Sequence, residues 1–364
     1  MPTNILIYLT PFISSLILAL ILTPLIRKMA WKFDVVDRPG LSRKVHPCPI
    51  PLLGGLGVIL SFLIVLLVAW SAGWLSDGII GVGQLLGIIL GSMVLLVGGV
   101  LDDKYNLKPW QSFLFPVLAA ALVVALGVAV KYVTNPFIAG TGPYERALFY
   151  FDWVNLEVIS FGALFSFLWI LGMIYTTKFL DGLDGLVSGI GGIGAIILFL
   201  VSLFWDVPKS STSILCLILA GSLFGFLVYN FHPAKIFLGE CGATFVGFML
   251  GVLSIISGGK IATALLIMGI PILDVIWIIF RRIFSGRHIY ESDRKHLHFR
   301  LLDIGLSHRQ TVLFLYLLTV VFGSSSLFLQ SQHKVVALGV MAVVMVVMAI
   351  VLVIVYRRRV ISNR

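Results

Sequence analysis

The sequence predicts an all-α, polytopic membrane protein with about 10–11 transmembrane helices, and three observations carry this. Of 364 residues, 59% are hydrophobic and 12% are charged, with a mean hydropathy of +1.08, whereas about 25% of a soluble domain is charged. The apolar residues form continuous runs of membrane-spanning length, unlike the short alternating segments of a β-barrel. Basic residues concentrate in alternate loops. Helices are expected because backbone groups in lipid must be satisfied within their own segment.

Eleven apolar runs are long enough to be candidate spans. They cover approximately residues 5–26, 53–70, 79–100, 110–130, 158–174, 186–204, 213–229, 245–256, 261–280, 311–329 and 335–355. The eighth run is short, and its start could extend back into the preceding loop. The first run has no basic residue before it and no small-residue cleavage site, so we expect a retained span and not a signal peptide. All runs are assigned to one domain, residues 1–364.

The basic residues predict the orientation. Most of the 26 Lys and Arg fall in the loops 27–52, 101–109, 175–185, 230–244 and 281–310 and in the tail 356–364. By the positive-inside rule these segments are cytoplasmic, the N-terminus is outside and the C-terminus is cytoplasmic. The outer segment 131–157 is expected to be a turn-rich loop with an interfacial aromatic piece.

Charge and cysteine usage exclude other classes. The net charge of +10 follows the loop asymmetry and suits contact with anionic lipid headgroups, so nucleic-acid binding is not indicated. Cys48, Cys216 and Cys241 have unrelated spacings and predict neither a disulfide nor a metal site.

The segment Lys178–Leu186 places two carboxylates, Asp181 and Asp184, and a lysine between two apolar runs. Buried charges at a membrane are costly unless they face water, a metal or a partner charge. One interpretation is that these acids help to hold a divalent cation and a diphosphate; the other is a short polar turn between spans. Lys178 is expected to pair with Asp181, Asp184 or a phosphate.

A second acidic motif, Asp102-Asp103, ends the third run, and Glu240 precedes the eighth. Adjacent carboxylates are difficult to keep ionised together without a cation. Mg²⁺ in proteins usually takes one or two carboxylates and completes its shell with waters and substrate phosphates. The alternative for Asp102-Asp103 is a helix end beside Lys104 and Lys108.

Two histidines in the last cytoplasmic loop, His296 and His298, are two residues apart, so they face one way if extended and diverge on a helix. Contact with phosphate or sugar is favoured over zinc binding, and interfacial histidines in a basic loop are the alternative. His46 lies in a basic cluster, which is either interfacial or binds phosphate.

Asp274 lies inside the ninth run, where we expect it to cap or bridge helices, although an intramembrane acid is also a functional candidate.

Taken together, the five loops resemble the polyprenyl-phosphate N-acetylhexosamine-1-phosphate transferases over about residues 30–320. This family includes the undecaprenyl-phosphate GlcNAc-1-phosphate transferases and the phospho-MurNAc-pentapeptide transferases. The resemblance implies a bacterial inner-membrane enzyme with a cytoplasmic site. Such an enzyme transfers a sugar-1-phosphate from a UDP-sugar to polyprenyl phosphate and releases UMP. The step begins a cell-envelope glycan pathway, for example lipopolysaccharide, teichoic acid or peptidoglycan. Mg²⁺ is the expected cofactor, with Mn²⁺ as a substitute, and a homodimer is compatible.

The resemblance implies roles for the two acid pairs, Glu240 and the pair His296 and His298, and the charge of the neighbouring loop residues predicts the remaining roles. Catalysis is assigned to Asp102, Asp103, Asp181 and Asp184. Metal binding is assigned to Glu240, Asp103 and Asp184. Substrate binding is assigned to Lys178, His46, Arg294, Lys295, His296, His298 and Arg300. Direct attack by the polyprenyl phosphate and a covalent aspartyl-phosphate route both stay open.

Two motifs depart from the family pattern, at three positions. The family usually has Asn where this chain has Lys178, and Asn is common where it has Tyr175. The usual metal-binding Asp is Glu240, which is one methylene longer. With both changes the site can still bind phosphate or a cation. They do not decide which residues bind the metal or which nucleotide sugar is the donor.

The loop spacing is closer to the GlcNAc-1-phosphate branch, because the pentapeptide branch usually has consecutive histidines where this chain has His296-Leu297-His298. An ion-coupled transporter is the rival from another class. Its acids would lie near the bilayer midplane, whereas these are expected at one membrane face.

Overall fold

The computed structural model describes residues 5–39, 48–76, 78–130, 132–134, 147–150, 161–205, 210–257, 260–284, 296–329 and 331–362. Within these residues the chain is almost entirely helical. The helices are α1 (Ile5–Lys32), α2 (Gly54–Ser71), α3 (Val82–Tyr105), α4 (Pro109–Ala125), α5 (Phe161–Leu180), α6 (Leu186–Trp205), α7 (Ser211–Asn230), α8 (Gly239–Ile256), α9 (Ile261–Phe284), α10 (Leu297–Asp303), α11 (His308–Phe328) and α12 (Ser331–Ser362).

The helices confirm the all-α polytopic prediction. Ten of them have the length and apolar composition of a membrane span, and α4 is a shorter apolar helix of the same kind. Together they account for the eleven predicted runs among the described residues. The eighth run does reach back into its preceding loop, because α8 begins at Gly239. The short helix α10 has no counterpart among the predicted spans.

Two small antiparallel ribbons were not predicted. β1 (Val36–Asp37) pairs with β2 (Ile50–Pro51), and β3 (Tyr132–Thr134) pairs with β4 (Ala147–Tyr150). The second ribbon lies in the segment expected to be an irregular outer loop. Its aromatic and β-branched residues, among them Tyr132 and Val133, suit a strand, and a stretch of only three or four residues gives little periodicity to read.

The centre of the bundle is α8, which packs against α2, α3, α5, α6 and α9. Its membrane-length window is 89% buried, compared with 11% for α12 at the rim. Close contact of α3 with α8 requires a glycine, because a side chain at Gly99 would overlap the backbone of Cys241. The carboxyl end of α3 and the amino end of α8 are thereby brought side by side.

Polar groups cap the helices at both faces. On the face opposite to the predicted cytoplasmic loops, Gln84 Nε2 donates to the Gly127 carbonyl at 2.9 Å, and Ser166 Oγ accepts from Val130 N at 2.9 Å. On the other face, α4 begins with Pro109 and α11 with a Ser307–Gln310 capping box. This second face carries the acids.

Candidate active site

Three helix ends form the core of the candidate site. The end of α3 supplies Asp102 and Asp103, the last turn of α5 supplies Lys178, and the first turn of α8 supplies Glu240. Lys178 Nζ lies 2.9 Å from Glu240 Oε2 and 3.7 Å from Asp102 Oδ2. The prediction that acids distant in sequence meet at one face therefore holds for these residues.

The partners of Lys178 differ from the expected ones. Asp181 and Asp184 were expected beside it, but the described ion pairs of Lys178 are with Glu240 and Asp102. The reason is its position inside the last turn of α5, which packs against α8 and α4, so the side chain points between helices rather than past the helix end.

The adjacent acids Asp102 and Asp103 have different surroundings. Asp102 Oδ1 accepts from Leu107 N at 3.0 Å, and its Oδ2 accepts from Ser112 Oγ at 2.5 Å. Asp103 Oδ1 accepts from Glu240 N at 3.0 Å, while its Oδ2 is buried and has no hydrogen-bond partner among the residues that the structure describes. The two oxygens of Asp102 are thus taken up by the protein, and Asp103 keeps one oxygen for another ligand.

Gly239 makes room for that free oxygen. It adopts a φ of +73°, which favours glycine, and a Cβ there would come within 2.5 Å of Asp103 Oδ2. The glycine at position 239, just before Glu240, therefore allows Asp103 of α3 to pack against the start of α8. The conformation also directs Glu240 N toward Asp103.

Asp181 lies in the turn between α5 and α6. Part of its surface is open to solvent, but most of the volume around its carboxyl group is protein. Desolvation, followed by the negative charges of Glu240 and Asp184, raises the pKa of Asp181 to about 8. A cation bound near Asp181 would favour its ionised form.

Asp184 faces a different set of groups. Its Oδ2 lies 2.7 Å from His232 Nδ1 and accepts from Ala234 N at 3.1 Å. The His232 ring stacks on His308 with centroids 4.0 Å apart, and Arg309 Nε donates to the His232 carbonyl at 3.0 Å. Asp184 therefore joins the α5–α6 turn to the α7–α8 connection and to α11, beside the Lys178 cluster.

The histidine pair is held by the intramembrane acid. Asp274 Oδ2 lies 2.9 Å from His296 Nδ1, and Asp274 Oδ1 accepts from Leu297 N at 3.0 Å. Asp274 thus caps α10 and links it to α9, as the sequence predicted. The rings of His296 and His298 stack with centroids 5.5 Å apart, so the two residues share one side.

His298 is buried against the acidic turn. A methyl group at position 182 would collide with His298 Nε2, which has no hydrogen-bond partner. Burial, and then the nearby His296 and His308, lower the pKa of His298 to about 3. The imidazole is therefore neutral at physiological pH and can donate or accept one proton in a hydrogen bond.

Three predicted site residues, His46, Arg294 and Lys295, lie outside the described residues. Arg300 lies on α10, one turn after His296. Three side chains that contact the site acids were not predicted as site residues: Ser112, His232 and His308. Ser112 could not be predicted, because a serine in the first turn of an apolar helix is common and does not indicate a site. His232 and His308 could have been predicted, because both are histidines at the ends of loops that were expected to be cytoplasmic.

The comparisons with known proteins agree with this geometry. A sequence model described as glycosyl transferase family 4 matches residues 85–258, which include Asp102, Lys178 and Glu240. The chain is 34% identical to a "probable undecaprenyl-phosphate N-acetylglucosaminyl 1-phosphate transferase" of Bacillus subtilis (strain 168), over 88% of this chain and 84% of that protein. The chain belongs to glycosyl transferase family 4.

Further members of glycosyl transferase family 4 match over most of their length. A decaprenyl-phosphate N-acetylglucosaminephosphotransferase of Mycolicibacterium smegmatis is 32% identical over 91% of this chain and 85% of its own. The undecaprenyl-phosphate alpha-N-acetylglucosaminyl 1-phosphate transferase of Escherichia coli O157:H7 is 24% identical over 91% and 86%, respectively. The family branch is therefore the polyprenyl-phosphate N-acetylhexosamine-1-phosphate transferases, and this member is a multi-pass membrane phosphotransferase.

Proposed function

We propose that this transferase moves GlcNAc-1-phosphate from UDP-GlcNAc to a polyprenyl phosphate and releases UMP, at the cytoplasmic face of a bacterial inner membrane. The observation that carries the proposal is the carboxylate cluster around Lys178, in which Asp103 Oδ2 is buried and, within the described part of the chain, has no hydrogen-bond partner. Such a site has oxygen ligands for a cation and one ammonium for phosphate, which a diphosphate substrate requires.

A divalent cation fits the residues present. Asp103 Oδ2 lacks a partner, Glu240 and Asp102 share one lysine, and the pKa of Asp181 is raised to about 8 by burial and by Glu240 and Asp184. Carboxylate oxygens are the ligands that Mg²⁺ and Mn²⁺ prefer. Asp103 and Glu240 would offer carboxylate oxygens to the ion, and Asp181 or Asp184 would reach it through waters or substrate phosphate. Among the described residues, the group whose ligand atoms all lie within 4.8 Å of one another is Asp184, His232 and His308. When bound, the ion would supply charge neutralisation on the diphosphate and on the departing UMP oxygen.

The protein's own groups have separable roles in the transfer. Asp103 Oδ2 is positioned to orient the acceptor phosphate. Lys178 offsets charge on the transferred phosphate, and the neutral His298 can donate a hydrogen bond to a substrate oxygen. In the direct route, an acceptor oxygen forms a bond to the β-phosphorus while the bond from that phosphorus to the UMP oxygen breaks. Catalysis then rests on positioning and electrostatics.

The position of the acids suits a lipid acceptor. Asp103, Lys178 and Glu240 lie at the ends of membrane-length helices rather than at their middles. A phosphate on an isoprenoid chain stays at the bilayer surface, so the protein must meet it there. A transporter would be expected to hold its acids near the midplane, and the arrangement therefore favours transfer over ion-coupled transport.

The relatives' names support GlcNAc as the sugar. The proteins of B. subtilis, M. smegmatis and E. coli that match along most of the chain are all named for N-acetylglucosamine. The spaced pair His296 and His298 points the same way. Transfer of phospho-MurNAc-pentapeptide is therefore the less favoured reaction.

The test is an assay with purified protein in detergent, undecaprenyl phosphate, Mg²⁺ and radiolabelled UDP-GlcNAc. The expected result is a labelled lipid released to the organic phase together with stoichiometric UMP. A parallel reaction with UDP-MurNAc-pentapeptide should give no labelled lipid. If the pentapeptide donor alone gives product, the sugar assignment is wrong; if neither donor does, the function is wrong.

A further inference from the structure

Ser112, in the first turn of α4, makes two contacts that connect the acid pair to the lysine. Its Oγ lies 2.5 Å from Asp102 Oδ2 and 2.8 Å from Lys178 Nζ. An ammonium group can only donate, so Ser112 accepts from Lys178 and gives its single hydroxyl proton to Asp102. The direction of both hydrogen bonds is thereby fixed.

These contacts account for both oxygens of Asp102. Oδ1 accepts from Leu107 N at 3.0 Å, and Oδ2 accepts from Ser112. The Asp102 carboxylate therefore anchors the serine and faces the lysine at 3.7 Å, an ion-pair distance rather than a hydrogen bond. Asp103, by contrast, keeps a buried oxygen without a partner.

The contacts also fix the ammonium of Lys178. Ser112 Oγ and Glu240 Oε2 lie 2.8 and 2.9 Å from Lys178 Nζ, respectively. An ammonium has three N–H groups, so these contacts leave one for a further acceptor. The lysine side chain is 19% exposed, which makes this third group reachable from the site.

We propose that Ser112 is a positioning residue for the transfer reaction, and that it holds the Lys178 ammonium at the junction of α3, α4, α5 and α8 with one N–H directed to the donor phosphate. Asp102 acts through Ser112, whereas Asp103 is tied to the first turn of α8 through Glu240 N. Without the hydroxyl, Lys178 would close directly onto Asp102, and the third N–H group would turn away from the phosphate. This inference rests on the proposed phosphate transfer.

The first test compares Ser112→Ala with Ser112→Thr, which keeps the hydroxyl. For Ser112→Ala we expect kcat/KM for UDP-GlcNAc to fall about 10- to 100-fold, mainly through KM, and binding of UDP-GlcNAc by calorimetry to weaken in parallel. Ser112→Thr should stay within about 3-fold of the unmodified protein. A matched control is Ser92→Ala, since Ser92 is buried in α3 and bonds only to the Ile88 carbonyl of its own helix.

The second test supplies the ammonium group from α4 instead of α5. Because Ser112 Oγ and Lys178 Nζ are 2.8 Å apart, a lysine at position 112 is long enough to bring its ammonium near the position of Lys178 Nζ, so the double variant Ser112→Lys/Lys178→Ser restores the charge from α4 without the Ser112 hydroxyl. Lys178→Ser alone should lose about 1,000-fold in kcat/KM, and the double variant should recover at least about 10-fold of this. Recovery would show that the position of the charge matters, not the helix that supplies it.

Two results would overturn the inference. One is full activity and unchanged UDP-GlcNAc binding in Ser112→Ala; the other is a folded double variant no better than Lys178→Ser. Folding is checked by thermal unfolding in detergent. If the unmodified protein itself transfers no sugar-phosphate, the proposed function fails, and calorimetry of UDP-GlcNAc binding to Ser112→Ala and Ser112→Thr still decides whether Ser112 positions Lys178.

Discussion

At the scale of single residues, the asymmetry of Asp102 and Asp103 has a direct consequence. Asp103→Asn should reduce transfer by about 1,000-fold, because a neutral amide binds a cation poorly and lacks the negative charge of the carboxylate. The fold should survive, since the Asn oxygen can still accept from Glu240 N. The measurement is the rate of labelled lipid formation together with the unfolding temperature.

A control for Asp103→Asn is Asp34→Asn. Asp34 is exposed, lies on the same face and pairs with Arg38 at 2.7 Å. An exposed ion pair of this kind contributes little, so activity should stay within about 2-fold. Activity of Asp103→Asn close to that of Asp34→Asn would remove Asp103 from the reaction.

His298 predicts a pH effect on stability. Its pKa is lowered from an ordinary value of 6.5 to about 3 by burial and by neighbouring histidines, so folding favours the neutral ring. This stability is present above about pH 6.5 and is lost as the pH falls toward 3, where the unfolded chain binds the proton first. Between pH 7.5 and 5.5 the loss should be about 1 kcal/mol.

The measurement for His298 is the unfolding temperature in detergent at pH 7.5 and 5.5. His298→Gln should be less stable at pH 7.5 but should show a smaller drop on acidification. His333→Gln, at an exposed position near the start of α12, should keep the full drop. An equal drop in all three proteins would mean that His298 is not the group that titrates.

At the scale of elements, the seven-residue helix α10 depends on an acid in α9. Asp274 accepts from Leu297 N and contacts His296, and removing a buried carboxylate from such contacts costs about 2–3 kcal/mol. Asp274→Ala should therefore release α10, with amide hydrogen exchange over residues 297–304 rising about 10- to 100-fold.

Asp303→Ala is the matched control for α10, because Asp303 is exposed at the end of the same helix. Its exchange rates should stay near those of the unmodified protein. Unchanged exchange over residues 297–304 in Asp274→Ala would show that α10 is held by its apolar contacts alone. Transfer activity should fall in Asp274→Ala and not in Asp303→Ala.

Elements differ in how far the sequence predicts them. The long spans follow from apolar length alone, and the eighth run could be extended to Gly239 because only a helix satisfies the backbone there. α10 and the β3–β4 ribbon are short, so local propensity gives little signal and tertiary contacts such as Asp274 decide them. Likewise, Lys178, Asp102 and Glu240 could be selected by residue type, but their pairing depends on helix packing around Gly99.

At the scale of the whole molecule, the described acids of the candidate site lie at one face of the bundle, and the loop charges predict that this face is cytoplasmic. The segment before α2 belongs to this face, because Phe237 N donates to the Pro51 carbonyl at 2.9 Å and Gly54 N donates to the Phe237 carbonyl at 3.0 Å. Cys48, two residues before β2, is exposed, whereas Cys216 and Cys241 are buried. The native chain therefore carries a single accessible thiol on the acidic face.

A membrane-impermeant maleimide tests the orientation through Cys48. We expect no labelling of the protein in intact cells and strong labelling in inside-out vesicles, because the reagent reaches Cys48 only from the cytoplasm. The double variant Cys48→Ser/Ser76→Cys moves the thiol to the exposed connection between α2 and α3 on the opposite face, and should reverse the pattern. Labelling of Cys48 in intact cells would place the acids outside, where a cytoplasmic nucleotide sugar could not reach them, and the proposed reaction would fail with the orientation.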